Sequence, residues 1–198
     1  MKYILIALLL VGCGGSTSSG DIEVKKDVYV VAGQSNGRNC DWSYFEDITE
    51  SETIMLALGS HGISMLIDKL PTQLNKIEGV NLKAILFVHG EHDAIRSTEN
   101  YTDSVESYRK MIGDVPLLIS NVGYVSGNTR DKYPDELFDY ITSDVKKEIK
   151  INSNWYLAFD DAKHFREWGM ISSDEIHFTK DGCIMMMDAM VEAVYKLR

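Results

Sequence analysis

Five short apolar runs leave this chain few folds to choose from. They are VYVVA at residues 28–32, TIMLAL at 53–58, KAILFV at 83–88, PLLIS at 116–120 and WYLAF at 155–159. Each has the length of a strand, is rich in β-branched or aromatic residues, and lacks the alternation of polar residues that marks a half-exposed strand. Such runs predict strands covered on both faces, as in a parallel sheet. Segments with helical spacing lie between and after them. Residues 63–74 carry Met65, Leu66, Leu70 and Leu74, with Pro71 disturbing the end. Residues 100–112 carry Tyr101, Val105, Tyr108 and Ile112 on one face, and residues 135–149 place Leu137, Tyr140, Ile141 and Val145 inward. Residues 181–197 form a last amphipathic helix whose Met-rich face, Met185 to Met187 and Met190, reads as core filler. Strands alternating with helices predict an α/β domain with a mostly parallel central sheet. At 198 residues the chain suffices for one such domain with a sizeable core.

Residues 1–12 differ in kind. A short basic start, Met1-Lys2-Tyr3, leads into an apolar run over 4–11 that is too short to span a bilayer and has the length of a signal-peptide core. It ends Leu10-Val11-Gly12-Cys13, which resembles the bacterial lipobox. That resemblance implies cleavage before Cys13 and acylation of the new N-terminus; an ordinary secretory signal or a buried N-terminal strand are the alternatives. Residues 14–20, GGSTSSG, have the composition of a flexible tether. The expected organisation is a signal peptide at 1–12, a lipid-attachment Cys13 and tether at 13–26, and one domain at 27–198. The product would be an extracytoplasmic lipoprotein held by its acyl chains. A formal net charge of −10 makes a nucleic-acid partner a poor expectation. Outside the cytoplasm, Cys40 and Cys183 are either a disulfide or two unpaired small core residues.

In open parallel sheets, sites form where strands end, and four polar motifs fall there. Gly33-Gln34-Ser35-Asn36 follows the first run directly, where a tight turn can expose a serine hydroxyl. Gly59-Ser60-His61-Gly62-Ile63-Ser64 follows the second, with backbone N–H groups that could receive an oxyanion. His89-Gly90-Glu91-His92-Asp93 follows the third. Asp174-Glu175-Ile176-His177 precedes the last helix. A serine becomes a nucleophile when an imidazole removes its proton, and the imidazole needs a carboxylate to hold its tautomer. Asp174 and His177 can supply both if the segment turns.

In this order, the four motifs resemble the blocks of the SGNH hydrolase superfamily, and most nearly its sialate O-acetylesterase-like carbohydrate esterases. The resemblance implies a three-layer α/β/α, flavodoxin-like fold and no metal or cofactor. It implies that Ser35 attacks an ester carbonyl, that His177 acts as base and then acid, and that Asp174 orients His177. The N–H groups of Ser35 and Gly62 would hold the oxyanion. Position 89 is His where this branch usually has Gln, so a third donor would have to come from the His89 ring. Gln34, Asn36, Glu91 and Trp42 are the candidate substrate contacts, with Glu91 and Asp93 also expected to shape their loop. The implied partner is an acetylated carbohydrate, acted on by a monomer. Because the fold brings Ser35 and His177 together, it also implies a Cys40–Cys183 bridge between the two loops. Trp42, Tyr44, Phe45, Tyr124 and Trp168, in or near expected loops, could rim a sugar site or pack beneath the loops.

Overall fold

The computed structural model describes residues 26–96 and 98–197; the expected signal segment, Cys13 and the tether lie outside the described residues. The apolar runs form five parallel strands: β1 (Asp27–Gly33), β2 (Glu52–Met55), β3 (Asn81–Val88), β4 (Leu117–Ser120) and β5 (Trp155–Phe159). They lie in the order β2-β1-β3-β4-β5. Among the described residues eight α-helices connect or follow them: α1 (Ser35–Asn39), α2 (Ser43–Thr49), α3 (Ile63–Lys69), α4 (Glu91–Arg96), α5 (Tyr101–Ile112), α6 (Gly127–Lys132), α7 (Asp135–Ile151) and α8 (Lys180–Leu197). This is the expected three-layer, flavodoxin-like α/β/α arrangement around a parallel sheet.

The two-residue period of the strands divides the interior into two cores. Val30, Ala32, Ile85, Phe87, Leu117 and Ile119 face α3, α5 and α7, meeting Leu66, Val105, Tyr108, Phe138 and Ile141. Tyr29, Val31, Leu86, Val88 and Leu118 face the other way, against Trp42 and Phe45 at α2 and Met186, Met187 and Met190 of α8. β5 carries one extra residue opposite the Ile119–Ser120 step of β4. That irregularity lets Trp155 pack into the first core and Phe159 into the second.

Three expectations are corrected. The helix expected over 63–74 stops at Lys69 and continues as 3-10 turns, Leu70–Thr72 and Leu74–Ile77, because Pro71 has no N–H and cannot continue an α-helix. On α7 the inward face is Phe138, Ile141 and Val145, while Tyr140 is 46% exposed. Trp42 and Phe45 are buried in the second core, so they pack beneath the loops and leave only Tyr44, Tyr124 and Trp168 with substantial exposed area.

Cys40, after α1, and Cys183, in the first turns of α8, form a disulfide with Cα atoms 5.5 Å apart. It closes a loop of 143 residues, which removes much conformational freedom from the unfolded chain. Replacing both cysteines by serine is expected to cost about 2–5 kcal/mol of stability, read as a lowered urea midpoint with a steeper slope, because the unfolded chain without the bridge exposes more surface.

Candidate active site

The strand order reverses direction at β1: the chain moves outward to β2 on one side and to β3, β4 and β5 on the other. A crevice opens at such a switch point beyond the carboxyl ends of the strands, and the first three polar motifs surround it. Gly33 ends β1 at φ +119°, and a Cβ there would collide with the Val88 carbonyl oxygen, so the turn into Ser35 requires glycine. Ser35 opens α1 half-buried. The β2 loop reaches it closely, since a Cβ on Gly59 would lie 3.9 Å from that of Ser35.

The segment before α8 is folded around one carboxylate. Asp174 Oδ1 accepts from the Ser172 hydroxyl at 2.6 Å, His177 N at 2.9 Å and Ile176 N at 3.0 Å. Its Oδ2 meets His177 Nδ1 at 2.6 Å. Burial alone would raise the Asp174 pKa; the hydrogen bonds from His177, Ser172 and Ile176 outweigh it and hold the group well below the usual carboxylate range. An ionised Asp174 accepts a hydrogen bond from Nδ1–H and leaves His177 Nε2 as an acceptor, the tautomer a general base needs. Glu175, at φ +68°, turns away and accepts from Thr129 N and Oγ1, both at 2.9 Å, fastening the loop to the start of α6.

The two halves meet one residue beyond each functional group. Asn36 Oδ1 accepts from Phe178 N at 3.1 Å, across 142 residues of sequence. The Ser35 hydroxyl itself has no hydrogen-bond partner among the described residues. Catalytic contacts in substrate-free sites are commonly long and tighten when substrate binds.

Beneath the site lies Glu91, 3% exposed. It accepts from the Gln34 amide, from Asn36 Nδ2 at 3.0 Å and from Gly123 N at 3.5 Å. Burial raises its pKa, opposed by its own backbone N–H, by Asn36 and Gly123, and by nearby His177. Gln34 Oε1 in turn accepts from His92 N at 3.2 Å. Gln34, Asn36 and Glu91 are therefore buried and engaged with one another, and the Trp42 indole donates to Gly37 O at 2.7 Å within the core. Expected as substrate contacts, with Glu91 also expected to shape its loop, these four are instead buried beneath the turn that bears Ser35.

For an oxyanion, the N–H groups of Ser35 and Gly62 have no acceptor among the described residues. His89 does not join them as a direct donor. It is 2% exposed, with Nδ1 3.2 Å from the Tyr101 hydroxyl and Nε2 3.1 Å from His61 O and 3.3 Å from Asp93 Oδ2. Asp93 caps α3, accepting from Ile63 N at 3.0 and 3.2 Å. Neither Tyr101, read only as a core residue, nor this use of Asp93 carried a recognisable sequence signal.

Beside the site a cavity of about 600 Å³ is floored by the disulfide and walled by Asn39, Tyr44, Phe178 and Lys180. Its size is that of a small-ligand pocket. Among the described residues no group of three or more His, Cys, Asp or Glu side chains is placed to share a metal ion, and no helix is long and apolar enough to cross a membrane.

No protein-family model and no curated protein matches the chain. Solved structures do share its fold. A lipase/acylhydrolase from Enterococcus faecalis aligns with TM-score 0.68 at 12% identity, over 86% of this chain and 96% of its own. The C-terminal catalytic domain of peptidoglycan O-acetyltransferase A from Streptococcus pneumoniae aligns with TM-score 0.61 at 16% identity, over 87% and 95%. A catalytic mutant of an acetylxylan esterase from Geobacillus stearothermophilus aligns with TM-score 0.62 at 9% identity, over 85% and 94%.

The Glu91 cluster yields a stability prediction. Gln34, Asn36 and Gly123 all donate to its carboxylate, so Glu91→Gln sets an NH2 group against one of these donors. The variant should lose about 1–3 kcal/mol in urea unfolding despite its matched shape.

Proposed function

We propose that this protein is a serine esterase that removes O-acetyl groups from a carbohydrate. The observation that carries the reading is the Asp174–His177 pair, 2.6 Å apart, in a loop that Asn36 joins to the turn bearing Ser35. Two structures that share the fold support the substrate class, since one is named as a peptidoglycan O-acetyltransferase and the other as an acetylxylan esterase. The resemblance of the four sequence blocks favours acetylated sialic acid among the sugars.

In the proposed reaction, Ser35 Oγ attacks the acetyl carbonyl while His177 Nε2 takes its proton. The carbonyl oxygen becomes an oxyanion facing the N–H groups of Ser35 and Gly62. Collapse of the tetrahedral intermediate breaks the bond to the sugar oxygen, which receives the proton from His177. Water then attacks the acetyl-enzyme with His177 again as base, releasing acetate and restoring Ser35. Asp174 stays ionised throughout and stabilises the imidazolium. The cavity beside the disulfide is wide enough for the sugar that leaves. We place the monomeric enzyme outside the cytoplasm, tethered to a membrane by acyl chains on Cys13.

Ser35→Ala is expected to abolish hydrolysis of p-nitrophenyl acetate by the purified protein; unchanged turnover would remove Ser35 from the mechanism. Asp174→Asn should reduce kcat on the order of a thousandfold or more with a well-folded product, by loss of the imidazolium partner and the correct tautomer. A panel of acetylated sialic acid, acetylated xylose, acetylated peptidoglycan sugars and longer acyl esters identifies the substrate. Preference for long acyl chains over acetyl would replace the acetylesterase reading with a lipase or thioesterase one.

A further inference from the structure

We infer that His89 is a positioning residue for the oxyanion site, acting through the peptide that joins His61 to Gly62. The inference rests on the esterase reading above and deepens it. His89 Nε2 lies 3.1 Å from His61 O. That carbonyl and the Gly62 N–H belong to one planar trans peptide and point in opposite directions. A donor holding the carbonyl from below therefore aims the N–H outward, toward the crevice. A hydrogen bond at the oxygen also polarises the amide and strengthens the N–H as a donor.

The ring is built to stay in that state. A carbonyl only accepts, so Nε2 must carry the proton, and Nδ1 is left to accept from the Tyr101 O–H at 3.2 Å. Burial lowers the His89 pKa, against the opposing influence of Asp93 and His61, so the ring is neutral. Burial likewise raises the Tyr101 pKa well above its ordinary value, which keeps its hydroxyl proton in place. The ring stacks on Tyr101 at 5.8 Å and lies 5.3 Å from Phe87, which restricts its rotation. On the far side of the same turn, Asp93 holds Ile63 N and meets Nε2 at 3.3 Å. A Cβ at Gly62 would approach Asp93 Oδ1 to 3.2 Å, so the turn is packed tightly on this pair. Where a Gln side chain would reach toward the oxyanion, His89 instead holds the backbone that does.

The test compares His89→Phe, His89→Gln and Val145→Ala in the purified full chain. Phe keeps the ring's bulk and removes both nitrogens; Gln can restore a donor to His61 O; Val145 packs in the same core on α7, away from the site. On p-nitrophenyl acetate, His89→Phe should lose about tenfold in kcat with KM within about twofold, less than direct removal of a donor would cost. Affinity for a boronic acid that forms a tetrahedral adduct on Ser35 should fall in parallel, and His89→Gln should recover part of both. Val145→Ala should lower Tm and leave kcat intact. Unchanged kcat in folded His89→Phe, or an equal kcat loss in Val145→Ala at matched Tm, would overturn the inference. The 15N and 1H resonances of Gly62 give a readout that needs no turnover. They should move in His89→Phe and hold in Val145→Ala, and an unmoved Gly62 would refute the positioning role. A wild-type protein that hydrolyses no ester would sink the esterase reading instead, with the Gly62 resonance still reporting on His89.

Discussion

The carboxylate of Glu91 is where the loops of this site are joined. It lies after β3, and its donors come from the turn after β1, through Gln34 and Asn36, and from the loop after β4, through Gly123. Removing such a group from water is costly, and donors on both oxygens offset the cost. Asn36 then does double service. Its Nδ2 donates to Glu91 and its Oδ1 accepts from Phe178 N, so the loop bearing His177 hangs from the same cluster. Ser35 and His177 need no direct bond to be held near each other, because their sequence neighbours are bonded.

A second buried network governs the opposite wall of the crevice. His89, Tyr101 and Asp93 together hold the turn at Gly62 from beneath. Both networks set polar groups where the surroundings are buried. What they add is direction: each bond specifies which way a backbone N–H or a side-chain oxygen points. That directional control is what preorganised electrostatic catalysis requires, and it explains why so much polarity is spent below a site exposed above.

The sheet was largely legible in the sequence. β1, β3, β4 and β5 each lie within one residue or two of an apolar run; the inner strands β1, β3 and β4 are apolar because both faces are covered, whereas β5, at the edge, is apolar in sequence yet leaves Tyr156 37% exposed. The long helices α5, α7 and α8 span enough turns to show their period. The short helices α1, α2, α4 and α6, of five to seven residues, span two turns or fewer and show none. At the site, residue type and order pointed to Ser35, Asp174 and His177. Side-chain direction was not legible. Gln34 and Asn36 read as substrate contacts, and Glu91 as a contact or a loop-shaping residue, and the three point inward to one another. His89 read as a donor facing the crevice, and its ring faces a carbonyl below.

The disulfide has a bearing on how the site comes into being. Cys40 lies after α1 and Cys183 on α8, so the bond can close only after the intervening sheet has been made. Until residue 183 is made, the turn that bears Ser35 exists without the loop that bears His177, and the bridge then ties the first loops to the last helix of the described residues.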